Sequence, residues 1–357
     1  MPSSNKKYQI FESAHDFYQS MLDDIENAKK YIYLEMYKYS NGEMGMKFRD
    51  ALTRKCKEGV EVKLLIDSWG AYVSQSYFSE LTSYGGEVRF FKKIKFFIDF
   101  FTKNHRRNHR KILVIDDTIT HIGSANIVEY GYDWREAMLR VYGAIAVEFK
   151  KVFLQDFRIF NKYVFEKISY VRTIKYGDLE ILRDVPSIAR QRVRKRYTQL
   201  IKGAKKEIII ETPYFIPGFM LRKALMDAAK RGVNVKVLLP NHSDMRLIDL
   251  MRNRYIGKLS KANVHFLLYM PNNLHGKLML VDREIFVLGS PNFDYRSFRY
   301  QHEIALLGRD PEAIRCIADH LLGTFKDSES FNYDYWLRRP IIDKLFEWFL
   351  VPFRHLL

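Results

Sequence analysis

Two short stretches of the chain carry the same reactive side chains in the same order. The first reads His109-Arg110-Lys111, then Asp116, Gly123-Ser124 and Asn126; the second reads His275-Gly276-Lys277, then Asp282, Gly289-Ser290 and Asn292. In both copies the lysine stands two, the aspartate seven, the serine fifteen and the asparagine seventeen residues after the histidine. An imidazole can attack phosphorus or move a proton, while an ammonium, a hydroxyl and a carboxamide can hold phosphoryl oxygens. Two such sets gathered around one phosphate outline a phosphoryl- or phosphatidyl-transfer site with no metal. One His-x-Lys-x4-Asp match alone would be a weak signal. Two copies, each followed by Gly-Ser-x-Asn at a common offset, are a strong one.

The elements around the histidines must place these groups. Lys111–Ile115 and Lys277–Val281 read as strands. Residues two apart on a strand share a face, so His109 projects with Lys111 and His275 with Lys277. Asp116 and Asp282 stand at odd offsets, where the strands end, and read as supports of the catalytic set. Second short strands follow at Ile119–Ile122 and Glu284–Leu288, each ending in Gly-Ser-x-Asn. The glycine permits close approach of a ligand. Glutamates recur at Glu136 and Glu303, 27 and 28 residues after the histidines. A carboxylate on one ring nitrogen would fix the tautomer and leave the other nitrogen free to attack.

Repetition extends beyond the motifs. Ala28–Glu35 echoes Ala204–Glu211, and Lys57–Leu65 echoes Lys230–Leu238. Helices are expected at Ala14–Ala28, Met44–Glu58, Ile188–Ile201 and Phe219–Arg231, with Gly59 and Gly232 closing two of them. Alternating helices and apolar strands imply an α/β fold with a mixed sheet in each half. The joint is expected near residues 162–186, after a helix over Ala146–Lys162. That divides the chain into halves at 1–165 and 166–330 and a tail at 331–357. Two equivalent histidines reach one cleft only if the halves pack with pseudo-twofold symmetry.

These motifs resemble the phospholipase D superfamily, whose signature is a doubled His-x-Lys-x4-Asp followed by Gly-Ser-x-Asn. The likeness spans roughly residues 10–330. Asn108–Asp116, Asn292–Phe298 and the segment Trp134-Arg135-Glu136 through Arg140 are similar to the bacterial cardiolipin synthase branch, with Glu136 where aspartate is usual. Many members begin with two transmembrane helices, so the resemblance is to the short form lacking them. It implies a phosphatidyltransferase that makes cardiolipin from phosphatidylglycerol, with an anionic phospholipid as partner, no obligatory nucleic acid and no cofactor. His109 would attack phosphorus to give a phosphohistidine, and His275 would serve as general acid and base. Lys111, Lys277, Ser124, Ser290, Asn126 and Asn292 would stabilise phosphoryl charge. A superfamily endonuclease and a hydrolytic phospholipase D are the alternatives.

The 357 residues carry a formal net charge of +17, which favours nucleic acid or acidic lipid surfaces without choosing between them. Cys56 and Cys316, the two cysteines, read as unpaired residues of a reducing compartment. No apolar run is long enough to span a bilayer. The expected location is peripheral, on the cytoplasmic face of a bacterial inner membrane. Residues 90–110 interleave Phe96, Phe97, Phe100 and Phe101 with Lys92, Lys93, Lys95, Lys103, Arg106 and Arg107. This pattern suits a headgroup boundary, core packing or single-stranded nucleic acid. In the tail, Ile341, Leu345, Trp348 and Phe349 share a helical face, fit either to meet a membrane or to dock on the body.

Overall fold

The computed structural model describes residues 6–91, 106–160, 172–186 and 190–353. The first half runs β1 (Tyr8–Ser13), α1 (Ala14–Asn27), β2 (Tyr31–Met36), α2 (Glu43–Lys57), β3 (Glu61–Asp67), α3 (Ser79–Ser83), β4 (Glu87–Phe91), β5 (Arg107–Asn108), β6 (Ile112–Ile115), β7 (Ile119–Gly123), β8 (Arg135–Tyr142) and α4 (Ile145–Ile159). The second runs β9 (Ile174–Tyr176), β10 (Leu179–Asp184), α5 (Arg192–Gly203), β11 (Glu207–Glu211), β12 (Phe215–Ile216), α6 (Phe219–Lys230), β13 (Asn234–Pro240), α7 (Arg246–Ser260), β14 (Val264–Tyr269), β15 (Leu278–Val281), β16 (Ile285–Gly289), β17 (Phe293–Asp294), α8 (Tyr295–Tyr300), β18 (Gln301–Gly308), α9 (Pro311–Lys326) and β19 (Ser328–Ser330). Two helices follow, α10 (Tyr333–Leu337) and α11 (Ile341–Leu350).

The two sheets share one plan. The first is ordered β1-β8-β7-β6-β2-β3-β4, and the second repeats it as β10-β18-β16-β15-β11-β13-β14, with β9 and β19 added at its edges. In each, the three strands at one end pair parallel and the rest antiparallel. The central strands are apolar on both faces because helices cover both. Their alternation then decides which core each side chain joins. Leu278 and Leu280 enter a core shared by the two halves, whereas Met279 and Val281 enter the second half's own core. Ile112 and Val114 likewise face the shared core, and Leu113 and Ile115 the first half's own. Helices α4 and α9 lie in the shared core. This is the expected α/β architecture of two similar halves around one interface.

Local signals in the repeat are also kept. Gly59 and Gly232 sit at φ +88° and +86°, the left-handed backbone that lets α2 and α6 close into the following strands. The amides of Val60 and Val233 then donate back to the carbonyls of Lys55 and Ala228.

Some elements differ from the sequence reading. The outer strands β1, β8, β10 and β18 lie outside the helix–strand alternation read in each half. They are recruited by pairing with distant strands, which short-range periodicity does not register. The helix expected at Ile188–Ile201 is described from Arg192, and the one expected at Ala146–Lys162 is α4, Ile145–Ile159. Of the joint expected near 162–186, residues 162–171 lie outside the described residues, as do Phe96, Phe97, Phe100, Phe101 and the four lysines among them, while β9 and β10 occupy most of its second part. Arg107 is described and is a correction. It is 1% exposed and ion-paired with Asp67 at 2.6 Å, so it is not available to hold lipid headgroups. A guanidinium this deeply buried is tolerated because the carboxylate offsets its lost hydration.

Candidate active site

Each histidine sits just before the first motif strand of its own half, but its backbone is tied to the other half. β5 pairs parallel with the start of β18, so Asn108 lies opposite His302, and the amide of His109 donates to the carbonyl of His302 at 3.0 Å. On the other side Arg135 bridges Leu274, and the amide of His275 donates to the carbonyl of Arg135 at 2.7 Å. The residues after those carbonyls are the two glutamates. The ring partners therefore cross between halves. Nδ1 of His109 lies 3.1 Å from Glu303, and Nδ1 of His275 lies 2.8 Å from Glu136. With Nδ1 engaged, Nε2 of each ring is the nitrogen left for substrate. Both histidines line a single cleft, together with Tyr37, Lys38, Asn126, Trp134, Tyr214, Asp244, Asn292, Asp294, Arg296 and Gln301.

The remaining motif residues divide by depth. Lys111 and Lys277 lie fully buried behind the histidines, and each ammonium donates to the carbonyl of its own histidine, at 2.5 and 2.6 Å. Ser124 and Ser290 are fully buried as well. Each hydroxyl donates to the glutamate of its own half, Ser124 to Glu136 at 2.5 Å and Ser290 to Glu303, and accepts from the next amide, Ala137 or Ile304. A hydroxyl has one proton to give, and here a carboxyl group takes it. The serines thus orient the glutamates, in place of the direct phosphate contact expected from the sequence. Asn126 and Asn292 do line the cleft.

Asp116 and Asp282 stand apart from the cleft lining. Asp116 accepts from the amides of Lys29, Lys30 and Tyr31, and Asp282 from those of Lys205, Lys206 and Glu207. Both adopt positive φ, 51° and 54°, in the turn after the motif strand. Aspartate tolerates that backbone, and its short carboxylate reaches the amides that open β2 and β11. They stand off the cleft because the strand has already turned away when it reaches them.

Burial sets the proton affinities, and it does so unequally. Burial, reinforced by Lys111, Lys277 and His275, holds His109 well below the ordinary histidine value. His275 is lowered too by burial, but Glu136 opposes the shift. Glu303 is pushed up to about 8 by burial, against the pull of Lys111 and Ser290. Glu136 meets the same burial, yet the His275 charge and hydrogen bond, with Lys277 and Ser124, hold it below the usual carboxyl range. Near neutral pH one dyad therefore pairs a neutral imidazole with a protonated carboxyl, and the other keeps an ionised carboxylate. Lys277 is lowered to about 8, chiefly by burial.

Several groups here carried weak or no sequence signal. Trp134 and Arg296 lie in segments singled out by the family resemblance, and both line the cleft. Lys38, Tyr214 and Asp244 belong to no motif; loops after three different strands deliver them. Behind the first histidine, Asn108 donates to buried Glu35 at 2.6 Å, and Arg110 donates to the Glu303 carbonyl and pairs with Asp156. His302 packs edge-on against Phe91, with ring centroids 4.9 Å apart. Among the described residues no group of three or more histidine, cysteine or acidic side chains is arranged to hold a metal ion.

Comparison with known proteins agrees with this architecture. The family described as "Cardiolipin synthase, PLD-like domain" matches residues 21–158 and 197–324, one match in each half. The major cardiolipin synthase of Bacillus subtilis is 32% identical over 95% of this chain and 73% of its own length. A cardiolipin synthase of Clostridium perfringens is 31% identical over 95% of this chain and 74% of its own. Among solved structures, a phosphatidylserine synthase of Haemophilus influenzae superposes with a TM-score of 0.79 at 16% identity, covering 99% of this chain and 96% of that one. A polyphosphate kinase of Porphyromonas gingivalis gives 0.63 at 12% identity, over 92% of this chain and 49% of that one. At these identities the two structures speak for the fold.

Proposed function

The chain belongs to the cardiolipin synthase, phospholipase D-like family, and from that premise we infer that it is a phosphatidyltransferase that joins two phosphatidylglycerols into cardiolipin through a phosphohistidine. The observation that carries the mechanism is the pair of imidazoles on one cleft with unequal carboxyl partners. In this reading neutral His109 keeps its Nδ1 proton, hydrogen-bonded to Glu303, and attacks the donor phosphorus with Nε2. The P–O bond to the departing glycerol breaks, and His275, in the protonated form that Glu136 favours against the lowering by burial, delivers the proton to that oxygen. His275 then takes the proton from the acceptor hydroxyl as the new O–P bond forms and the N–P bond breaks. Lys111 and Lys277 supply positive charge behind the phosphate, and Asn126 and Asn292 supply amide donors at the cleft wall.

The membrane contact belongs to the same proposal. No helix among the described residues is long and apolar enough to cross a membrane. The last helix instead lies on the surface. α11 is anchored by Leu350, which packs with Ile248, Met251 and Tyr255 of α7, and by Glu347, which pairs with Arg339. Ile341, Leu345, Trp348 and Phe349 point outward, Trp348 at 69% and Phe349 at 60% exposure. α7 also supplies Ile248 to the cleft. An exposed apolar helix beside the cleft, on a chain of net charge +17, suits an anionic lipid surface. We place the protein peripherally on the cytoplasmic face of the membrane, a setting in keeping with its unpaired Cys56 and Cys316.

The test is incubation of purified protein with phosphatidylglycerol vesicles and, separately, with single-stranded DNA. Cardiolipin and free glycerol, absent with His109→Ala and His275→Ala, support the transferase. Phosphatidic acid alone would mean that water is the acceptor, and cleaved DNA alone would mean a nuclease.

A further inference from the structure

The two halves cease to match at the mouth of the cleft. By the repeat, Glu35 corresponds to Glu211, so Lys38, three residues further on, corresponds to Tyr214. Both line the cleft. Lys38 is held from two directions: its amide donates to the Asn126 carboxamide at 3.1 Å, and its ammonium donates to the Tyr130 hydroxyl at 2.6 Å. That ammonium meets an aromatic hydroxyl, not a carboxylate, and also lies 5.1 Å from the Tyr130 ring centroid. Tyr214 instead donates its hydroxyl to Asp244 at 2.6 Å, which leaves a carboxylate on that side. One lobe therefore offers the mouth a positive charge and the other a hydrogen-bond acceptor.

The proposed reaction needs both. An acceptor phosphatidylglycerol brings a phosphodiester of its own, separated by a glycerol from the hydroxyl that reacts, and the histidine pair engages only the donor phosphate. We propose that Lys38 holds the phosphodiester of the acceptor lipid while Asp244 accepts the hydrogen bond of its second glycerol hydroxyl, so that the cleft selects a phosphorylated glycerol over free glycerol or water. This rests on the transferase reading and adds a residue-level basis for acceptor choice. The chemical step is unchanged: the acceptor oxygen replaces His109 on phosphorus, the N–P bond breaks, and the acceptor proton passes to His275. Burial lowers the proton affinity of Lys38 although the Asp244 carboxylate opposes it, and an incoming phosphodiester would favour its charged form further.

The experiment lets two acceptors compete for one intermediate. Phosphatidylglycerol vesicles are mixed with the protein and radiolabelled glycerol, and cardiolipin, labelled phosphatidylglycerol and phosphatidic acid are quantified together. All three products drain the same phosphohistidine, so their ratios read the acceptor step and do not depend on how much protein is active. Lys38→Met is expected to lower the ratio of cardiolipin to labelled phosphatidylglycerol about tenfold, the effect of one charge-assisted hydrogen bond, and Lys38→Arg to recover part of it. Asp244→Asn is expected to shift both glycerol acceptors towards phosphatidic acid. A wild-type ratio in Lys38→Met overturns the proposal alone. A wild-type protein that forms no cardiolipin overturns the transferase reading beneath it.

Discussion

His109 and His275 occupy equivalent places in equivalent sheets, and each takes its carboxyl partner from the opposite half. The environments nevertheless diverge. Asp294 lies near Glu303 and adds to the burial that raises it, whereas Glu136 is opposed by His275 and Lys277. The residue between histidine and lysine differs as well: Arg110 reaches the Glu303 carbonyl and Asp156, while Gly276 leaves its side-chain space to buried Glu211. Even the glutamates at the ends of β2 and β11 differ. Glu35 accepts from Asn108, and Glu211 contacts His320 at 2.9 Å and accepts from Thr324 at 3.0 Å. A duplicated scaffold thus brings two like sets of side chains to a single cleft, and the surrounding charges give them different environments, to which the proposed mechanism assigns different tasks.

The largest expected effect tests whether those tasks are distinct. His275→Ala should reduce cardiolipin formation by roughly 10²–10⁴-fold, yet still form a covalent lipid adduct from a donor whose leaving group needs no proton. His109→Ala should form no adduct with any donor. Adduct formation by His109→Ala, read by intact-protein mass spectrometry, would reverse the assignment.

Next comes the pair of glutamates. Glutamine resembles a protonated carboxyl, so Glu303→Gln should cost less than about tenfold in kcat/KM near pH 7. Glu136→Gln removes an ionised partner and should cost about 100-fold, or ~2.7 kcal/mol at 1.36 kcal/mol per decade. Equal losses would mean that the two dyads carry the same charge. The acid limb of kcat/KM should lie below pH 6.5, because His109 must be neutral to attack and burial lowers its proton affinity; a limb above 6.5 would contradict that role.

A smaller effect concerns the second half's own addition. Among the described residues α11 has no counterpart in the first half. Trp348→Ala with Phe349→Ala should weaken sedimentation with phosphatidylglycerol vesicles several-fold and leave the unfolding midpoint unchanged, since both side chains are exposed. Undiminished sedimentation would remove α11 from the membrane contact.

The smallest expected effects are pH slopes in stability, followed by urea unfolding. Glu303 is raised in the folded state from an ordinary 4.5 to about 8, so the fold binds the extra proton and loses stability as pH rises across that window. His320 contacts Glu12 and Glu211, whose pull outweighs the opposing burial and raises it from 6.5 to about 9. Its contribution is complete below 6.5 and is lost as pH climbs through 9. Glu303→Gln should flatten the first slope and His320→Gln the second. Unaltered slopes would mean that other groups set them.

Much of this was legible in the sequence because it is local or repeated. Strand alternation, helix-closing glycines and the motif offsets act over two to seventeen residues, and the duplication let each copy check the other. Asp116 and Asp282 could be read as supports for the same reason: the odd offset turns them off the shared face of the strand. What could not be read depends on separation. The crossed dyad joins His109 to Glu303 over 194 residues and His275 to Glu136 over 139. The run of cations before His109 looked uniform, but packing sent Arg107 inward to Asp67.

By itself, then, the sequence determined the duplicated α/β plan, the residues able to do phosphoryl chemistry and the need for two halves to share one cleft. The tertiary structure alone decided which glutamate serves which histidine, that the serines bind those glutamates, and that one carboxyl stays protonated while its twin is ionised. The reason is physical: backbone periodicity is a property of neighbours along the chain, whereas burial and Coulomb interactions depend on everything folded around a group.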